Sequence, residues 1–209
     1  MAIWLVWHGE TEWSISGQHT GTTDISLTPE GQLQAVAIGK LLAGRRFDHI
    51  FASPMLRTQE TARLAGFGDR MLIHEGLREY DYGGFEGLIP PDPGDPPGWE
   101  LFRDGCPGGK TPEQMAGRLD ALIEELRELG GNRVLFGQGH CFRALAARFL
   151  DLPIGNATNL RLDTGTISIV TDGRDGPELV LWNRRIQPRT VVVADIASSL
   201  ARSIPSDPG

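Results

Sequence analysis

Apolar residues along this chain fall into short unbroken runs and helical stripes that alternate. Ile3 to Trp7 is apolar on both faces and stops at His8-Gly9, the pattern of a buried strand ending in a turn. From Thr28 the period changes. Leu33, Val36, Ala37 and Leu41 recur at helical spacing up to Gly44, with Thr28 suited to cap the helix and Pro29 to its first turn. His49–Ala52 reads as a second strand, Pro54 as the opening of a helix to about Ala65, and Met71–Ile73 as a third strand. Thr111-Pro112-Glu113 repeats the cap chemistry of Thr28-Pro29-Glu30. It starts a helix whose stripe Met115, Leu119, Leu122, Ile123, Leu126 runs to Gly130-Gly131. Val134–Phe136 predicts a strand and Cys141–Leu150 a helix. Thr166–Val170 and Glu178–Trp182 predict strands joined around Asp172-Gly173. After Arg185, Thr190–Val193 has a strand pattern and a weak helical pattern reaches Ile204.

Residues 88–110 break this rhythm with Pro90, Pro91, Pro93, Pro96, Pro97 and Pro107 among five glycines, which predicts an insertion loop placed to cover a site. Strands separated by helices of this length need crossover connections. The expected fold is α/β: a three-layer sandwich with a mostly parallel sheet and helices on both faces. It forms one domain over residues 1–209, with the insertion loop at 88–110.

Composition narrows the function. A chain of 209 residues, 40% hydrophobic and 22% charged, can bury one sizeable core, which excludes disorder, collagen and coiled coil. A net charge of −7 with no basic stripe argues against nucleic acid. No run of eighteen apolar residues occurs, and the N-terminal run meets His8 and Glu10 too soon for a signal peptide, so the expectation is a cytoplasmic protein with no membrane contact. Cys106 and Cys141 lie in unrelated contexts, which predicts reduced thiols. Cys141, near a helix start, reads either as a lowered-pKa thiol or, with more weight, as a small buried hydrophobe. His19, His49 and His74 lack metal-ligand spacing, so no metal or cofactor is expected. Gly105 to Thr111 imitates a P-loop, but its first glycine stands one residue too close to Gly109-Lys110-Thr111 and no strand precedes it.

Three residues carry candidate chemistry on position alone. His8 sits at a strand end beside Gly9, whose missing side chain would let a substrate approach the imidazole; a locally bonded histidine is an equal reading. Arg57 follows a strand–Pro–helix turn whose amides could complete an anion pocket, though a surface ion pair is the commoner use of such an arginine. Glu79 is one acid among several in Leu77–Gly83 and says little alone. Ligands in such sheets bind beyond the carboxyl ends of the strands, so His8 and the Gly137–His140 turn should converge there.

The motifs are more specific in combination. Leu5-Val6-Trp7-His8-Gly9-Glu10-Thr11-Glu12-Trp13, Gly21-Thr22-Thr23-Asp24, Leu27-Thr28-Pro29-Glu30-Gly31, Ser53-Pro54-Met55-Leu56-Arg57-Thr58, Leu77-Arg78-Glu79 with Tyr82-Gly83, and Gly139-His140-Cys141-Phe142-Arg143 occur in one order. The chain thereby resembles the histidine phosphatase superfamily, phosphoglycerate-mutase-like branch, over about residues 3–183. Leu77–Gly87 and Trp99–Cys106 look most like its sugar-bisphosphatase members, such as sedoheptulose-1,7-bisphosphatase. The resemblance implies a phosphohistidine mechanism without metal: His8 as nucleophile, Glu79 as general acid, Arg57 as a phosphate ligand. The substrate-binding set would be Trp7, Arg57, Gln138, Gly9, Thr20, Gly21, Gly139 and His140, converging with His8 and Glu79 in one cleft. A small-molecule substrate is the expected partner, and a homodimer stays open.

Two departures qualify the resemblance. The family pattern begins Arg-His-Gly, and here Trp7 holds the arginine position. The family's second histidine falls on Gln138, not on His140. Removing one preorganised donor to transition-state charge typically costs about 10²–10³ in rate, so two losses predict a slowdown of at least about 10³. Lys110, where relatives often carry glutamate, either returns positive charge to the loop or is solvated. The expected function is an enzyme with an altered phosphate pocket. It would be a weakened phosphomonoesterase on a small sugar phosphate or less charged analogue, or a repurposed acid–base catalyst using His8 and Glu79. A non-catalytic binding or regulatory protein and a fully active phosphatase with compensating cations are the alternatives.

Overall fold

In chain order the elements are β1 (Ala2–Trp7), α1 (Glu12–Ser16), α2 (Pro29–Leu42), β2 (His49–Ala52), α3 (Leu56–Leu64), β3 (Leu72–Ile73), α4 (Leu101–Asp104), α5 (Pro112–Leu129), β4 (Arg133–Gly137), α6 (Gly139–Phe149), β5 (Thr166–Asp172) and β6 (Pro177–Arg185). They come from a computed structural model that describes residues 1–89 and 98–186. The expected tail elements and the proline cluster Pro90–Pro97 of the insertion loop lie outside the described residues.

The six strands form one sheet in the order β3-β2-β4-β1-β5-β6. β1, β4, β2 and β3 run parallel, as the alternation of strands and helices requires, while β5 and β6 add an antiparallel edge. Alternate residues of the central strands feed two cores. Ile3, Leu5, Phe51 and Leu135 pack with α5 and α6 through Leu119, Ile123, Phe142 and Leu145. Val6, Ile50, Val134 and Phe136 pack with α2 and α3 through Ile38, Leu42 and Ala62. The sheet is thus the middle of three layers.

Local chemistry sets the helix starts. Thr28 Oγ1 accepts the Gly31 amide at 3.0 Å with Pro29 in the first turn. Thr111 and Gln114 exchange side-chain and backbone bonds as a capping box, with Pro112 in the first turn. Two helix starts differ from the sequence reading. α3 begins at Leu56, because Met55 is still extended chain, and α6 begins at Gly139, ahead of Cys141. The insertion segment is not all loop: Leu101–Asp104 forms one helical turn, started by Glu100, whose side chain accepts the Phe102 amide at 3.3 Å. The sequence also gave no sign of α1, a single turn held by Thr11 and Ser14.

Candidate active site

β1, β4 and β2 end side by side. Trp7 pairs in register with Gly137, the His8 amide donates to the Gly137 carbonyl at 3.1 Å, and the Ser53 amide donates to Phe136 at 2.9 Å. The residues that follow the three strands, His8, Gln138 and Ser53, therefore meet at the carboxyl edge of the sheet. Gln138 Nε2 donates to Ser53 Oγ at 2.9 Å.

His8 is buried, with Nδ1 2.7 Å from the Gly9 carbonyl. A carbonyl can only accept, so the proton sits on Nδ1 and Nε2 keeps its lone pair. Burial first, and then the charge of Arg57, lower its pKa to about 3, with the Gly9 carbonyl opposing. Gly9 itself leaves no room for a substrate on its Cα. A Cβ there would stand 2.2 Å from the Gly31 carbonyl oxygen, so its missing side chain serves the packing of β1's exit on the start of α2.

Glu79 is buried against the N-terminus of α6. Its Oε1 accepts the amides of Tyr80 at 2.9 Å and Cys141 at 2.6 Å, and its Oε2 accepts that of His140 at 3.0 Å. Burial raises its pKa, opposed by these amides and by Arg57. Oε2 has one lone pair left over, which is where a proton would sit. The Cys141 thiol is buried and pushed up to about 12 by desolvation, which makes it a packing residue.

Arg57 is enclosed. Nη1 donates to the Thr23 carbonyl at 3.0 Å, and Nη2 to those of Thr20 and Gly21 at 2.9 and 3.3 Å. Its Nε has no partner. Most of the fork thus holds the 20–23 loop rather than opening to an anion. Gly21 is packed tightly too: its amide meets both oxygens of Glu86 at 3.0 Å. Trp7 stands edge-on to His8, ring centroids 5.9 Å apart, and lies so close over Gly139 that a Cβ there would fall 2.7 Å from the indole. The buried Nε1 of Trp7 and Oε1 of Gln138 have no hydrogen-bond partner.

A cavity of about 610 Å³ opens at this edge of the sheet. Trp7, His8, Thr20, Glu79, Gly139 and His140 line it, whereas Gly9, Gly21, Arg57 and Gln138 stand behind its described wall. Lys110 is exposed away from that wall. Much of the remaining lining was missed in the sequence: Trp13, His19, Tyr82, Trp99, Phe102 and Arg143. The signal available was the density of aromatic residues inside the quoted motifs, each of which reads equally well as core. His140 Nδ1 lies 2.6 Å from the Tyr82 hydroxyl, and His19 stacks on Tyr82 at 4.4 Å. Among the described residues no group of three His, Cys, Asp or Glu is placed to hold a metal, and no helix is long and apolar enough to cross a membrane.

Two histidines held neutral, the buried His8 and the half-buried His140, make stability fall as pH falls. The pKa of His140 is lowered well below its ordinary value by burial, then by Arg143 and His19. A group whose folded pKa is depressed binds its proton more readily in the unfolded chain, so its contribution is present above about 6.5 and is lost as pH falls. Glu79, shifted the other way, opposes this near its own titration. His140→Gln should therefore reduce the slope of unfolding free energy between pH 5 and 6, by up to about 1.4 kcal/mol per pH unit, measured by urea melts. An unchanged slope would mean that His140 titrates normally.

Comparison with known proteins places the chain in a family. A family model described as histidine phosphatase superfamily (branch 1) matches residues 3–185. An acid phosphatase of Mycobacterium tuberculosis is 36% identical over 173 residues, covering 79% of this chain and 83% of its own. A sedoheptulose 1,7-bisphosphatase of Saccharomyces cerevisiae is 32% identical over 185 residues, covering 72% and 68%. The solved structure of the product of a Mycobacterium tuberculosis open reading frame superposes with a TM-score of 0.84 at 31% identity, covering 89% of this chain and 98% of that one.

Proposed function

The chain belongs to the histidine phosphatase superfamily (branch 1), and from that premise we propose that it hydrolyses a phosphate monoester of a small molecule through a phosphohistidine on His8, with a clamp weakened at Trp7 and Gln138. What carries the reading is the tautomer of His8: Nδ1–H given to the Gly9 carbonyl at 2.7 Å, Nε2 unprotonated, at the end of a cavity shared with Glu79. The Nε2 lone pair attacks phosphorus while the ester P–O bond breaks, and the leaving oxygen takes the proton from the Glu79 carboxyl. In the second half a water gives its proton to Glu79 and its oxygen to phosphorus, which releases phosphate and restores His8. The two relatives, an acid phosphatase and a sedoheptulose bisphosphatase, carry names of this reaction type.

The low pKa of His8 separates this reading from a repurposed acid–base catalyst. A general base works best when its pKa is near the working pH, and a value of about 3 is far from it. A nucleophile needs only the lone pair. The weakened clamp is supported by Arg57, whose Nη atoms are engaged by three carbonyls, and by the two neutral side chains at 7 and 138.

Rapid alkaline quench during turnover of a phosphorus-32-labelled monoester should trap acid-labile label on the peptide containing His8. Phosphate release with no label on His8 at any quench time would overturn the mechanism.

A further inference from the structure

The cavity is far larger than a phosphoryl group needs, and its outer wall has a distinct chemistry. At about 610 Å³ it falls in the range of sites for whole small molecules, about 300–1,000 Å³. Beyond His8 and Glu79 the wall presents Trp13, His19, Tyr82, Trp99 and Phe102. His19 lies nearly parallel to Tyr82, with Trp99 edge-on to it at 6.0 Å, so these rings pack on one another into one aromatic wall. Trp99 is fixed by its indole N–H to the Gly105 carbonyl at 2.8 Å, and it meets Phe85 edge-on at 5.1 Å.

The charge of the wall points the same way. Its described cations are Arg143 and Arg185, against the carboxylates Glu100 and Asp163 in addition to Glu79. Arg185 faces Asp163 at 3.5 Å. Arg143 gives Nε and Nη2 to the carbonyls of Ala157 and Thr158, both at 3.0 Å, and lies over the Phe102 ring. A second phosphate or carboxylate on the substrate would meet no net positive charge there, since Glu100 and Asp163 balance Arg143 and Arg185.

Resting on the phosphatase reading, we infer that the substrate is a monophosphate ester whose leaving group carries an aromatic ring and no second anionic group. The ring lies against the aromatic wall to which Trp13, His19 and Trp99 contribute. Aromatic contacts of this kind change affinity by about 2- to 10-fold each. A sugar bisphosphate, the substrate in the name of the yeast relative, is the class this wall rejects.

The test compares esters with matched leaving-group basicity, so that chemistry does not mask recognition. 2-(Naphthyl)ethyl phosphate should exceed 2-cyclohexylethyl phosphate in kcat/KM by about tenfold or more, and propyl phosphate should exceed propane-1,3-diyl bisphosphate. Trp13→Leu and Trp99→Leu should each shrink the naphthyl preference, chiefly through KM. Equal rates for the matched pair, or a preference for the bisphosphate, would overturn the inference. The unaltered protein also answers without turnover: 2-(naphthyl)ethanol should bind saturably, quenching tryptophan fluorescence, and 2-cyclohexylethanol should bind more weakly. If no ester releases phosphate but naphthylethanol binds selectively, the phosphatase reading fails and the aromatic site stands. If esters turn over but neither assay shows a naphthyl preference, only the aromatic site fails.

Discussion

His8→Ala should lower kcat/KM for any monoester substrate by at least about 10⁴, because loss of the nucleophile in a comparable covalent hydrolase costs about 10⁶ in kcat. The imidazole has two roles here that alanine cannot fill. It supplies the Nε2 lone pair, and its Nδ1–H bond to the Gly9 carbonyl fixes which nitrogen faces the cavity. The fold should survive, since the His8 backbone keeps its own bond to Gly137 and the side chain is neutral. Far-UV circular dichroism beside initial-rate phosphate release separates the two effects. A folded His8→Ala protein within tenfold of the parent would mean that the phosphoryl acceptor is another group. The same neutrality gives a second signature: kcat/KM should show no acid limb near pH 6.5 from this residue, because it has no proton to lose there.

The second large effect runs upward. Trp7→Arg combined with Gln138→His should raise phosphate release by on the order of 10² or more. Trp7 offers one indole N–H, which is buried without a partner beside His8, and Gln138 spends its amide nitrogen on Ser53. Neither carries charge. Arginine would supply a permanently charged planar fork, and histidine a donor that can be protonated next to a dianion. Each single change should give much less, since ligands to one phosphoryl group act as a unit. Adding His8→Ala to the pair should remove the gain. A parent that already turns over like an ordinary phosphatase would show that other donors complete the clamp, with the unpaired Nε of Arg57 one candidate.

How much of this was legible in the residues depends on how local each signal was. The run Ile3–Trp7 and the paired Thr-Pro starts at 28 and 111 announce a strand and two helices because strand burial and helix capping are decided within a few residues. The meeting of His8 with Gln138 was legible as well, since both follow strands that a parallel sheet must align. What escaped was anything decided by distant contacts. A guanidinium at a helix start looks like an anion ligand until the 20–23 carbonyls close on Arg57. Gly9 looks like an opening toward substrate until Gly31 fills it. Trp13, Trp99 and Phe102 look like core residues until the chain brings them around one cavity. α1 and α4 escaped for another reason: at 5 and 4 residues they are too short to show a period.

The sheet order has a consequence for the way the protein comes into being. β1 precedes the other five strands of the sheet, yet its two neighbours are β4 and β5, so its pairing partners begin at Arg133 and Thr166. Closing loops of that length is slow, and β1 must wait, apolar on both faces, until β4 has been synthesised. His8, at the end of that waiting strand, cannot be seated against Gly137 before then. A chain cut short before β4 consequently cannot assemble the sheet edge at which His8 meets Gly137 and Gln138. The exposed Ile3–Trp7 segment is instead what a chaperone would find first.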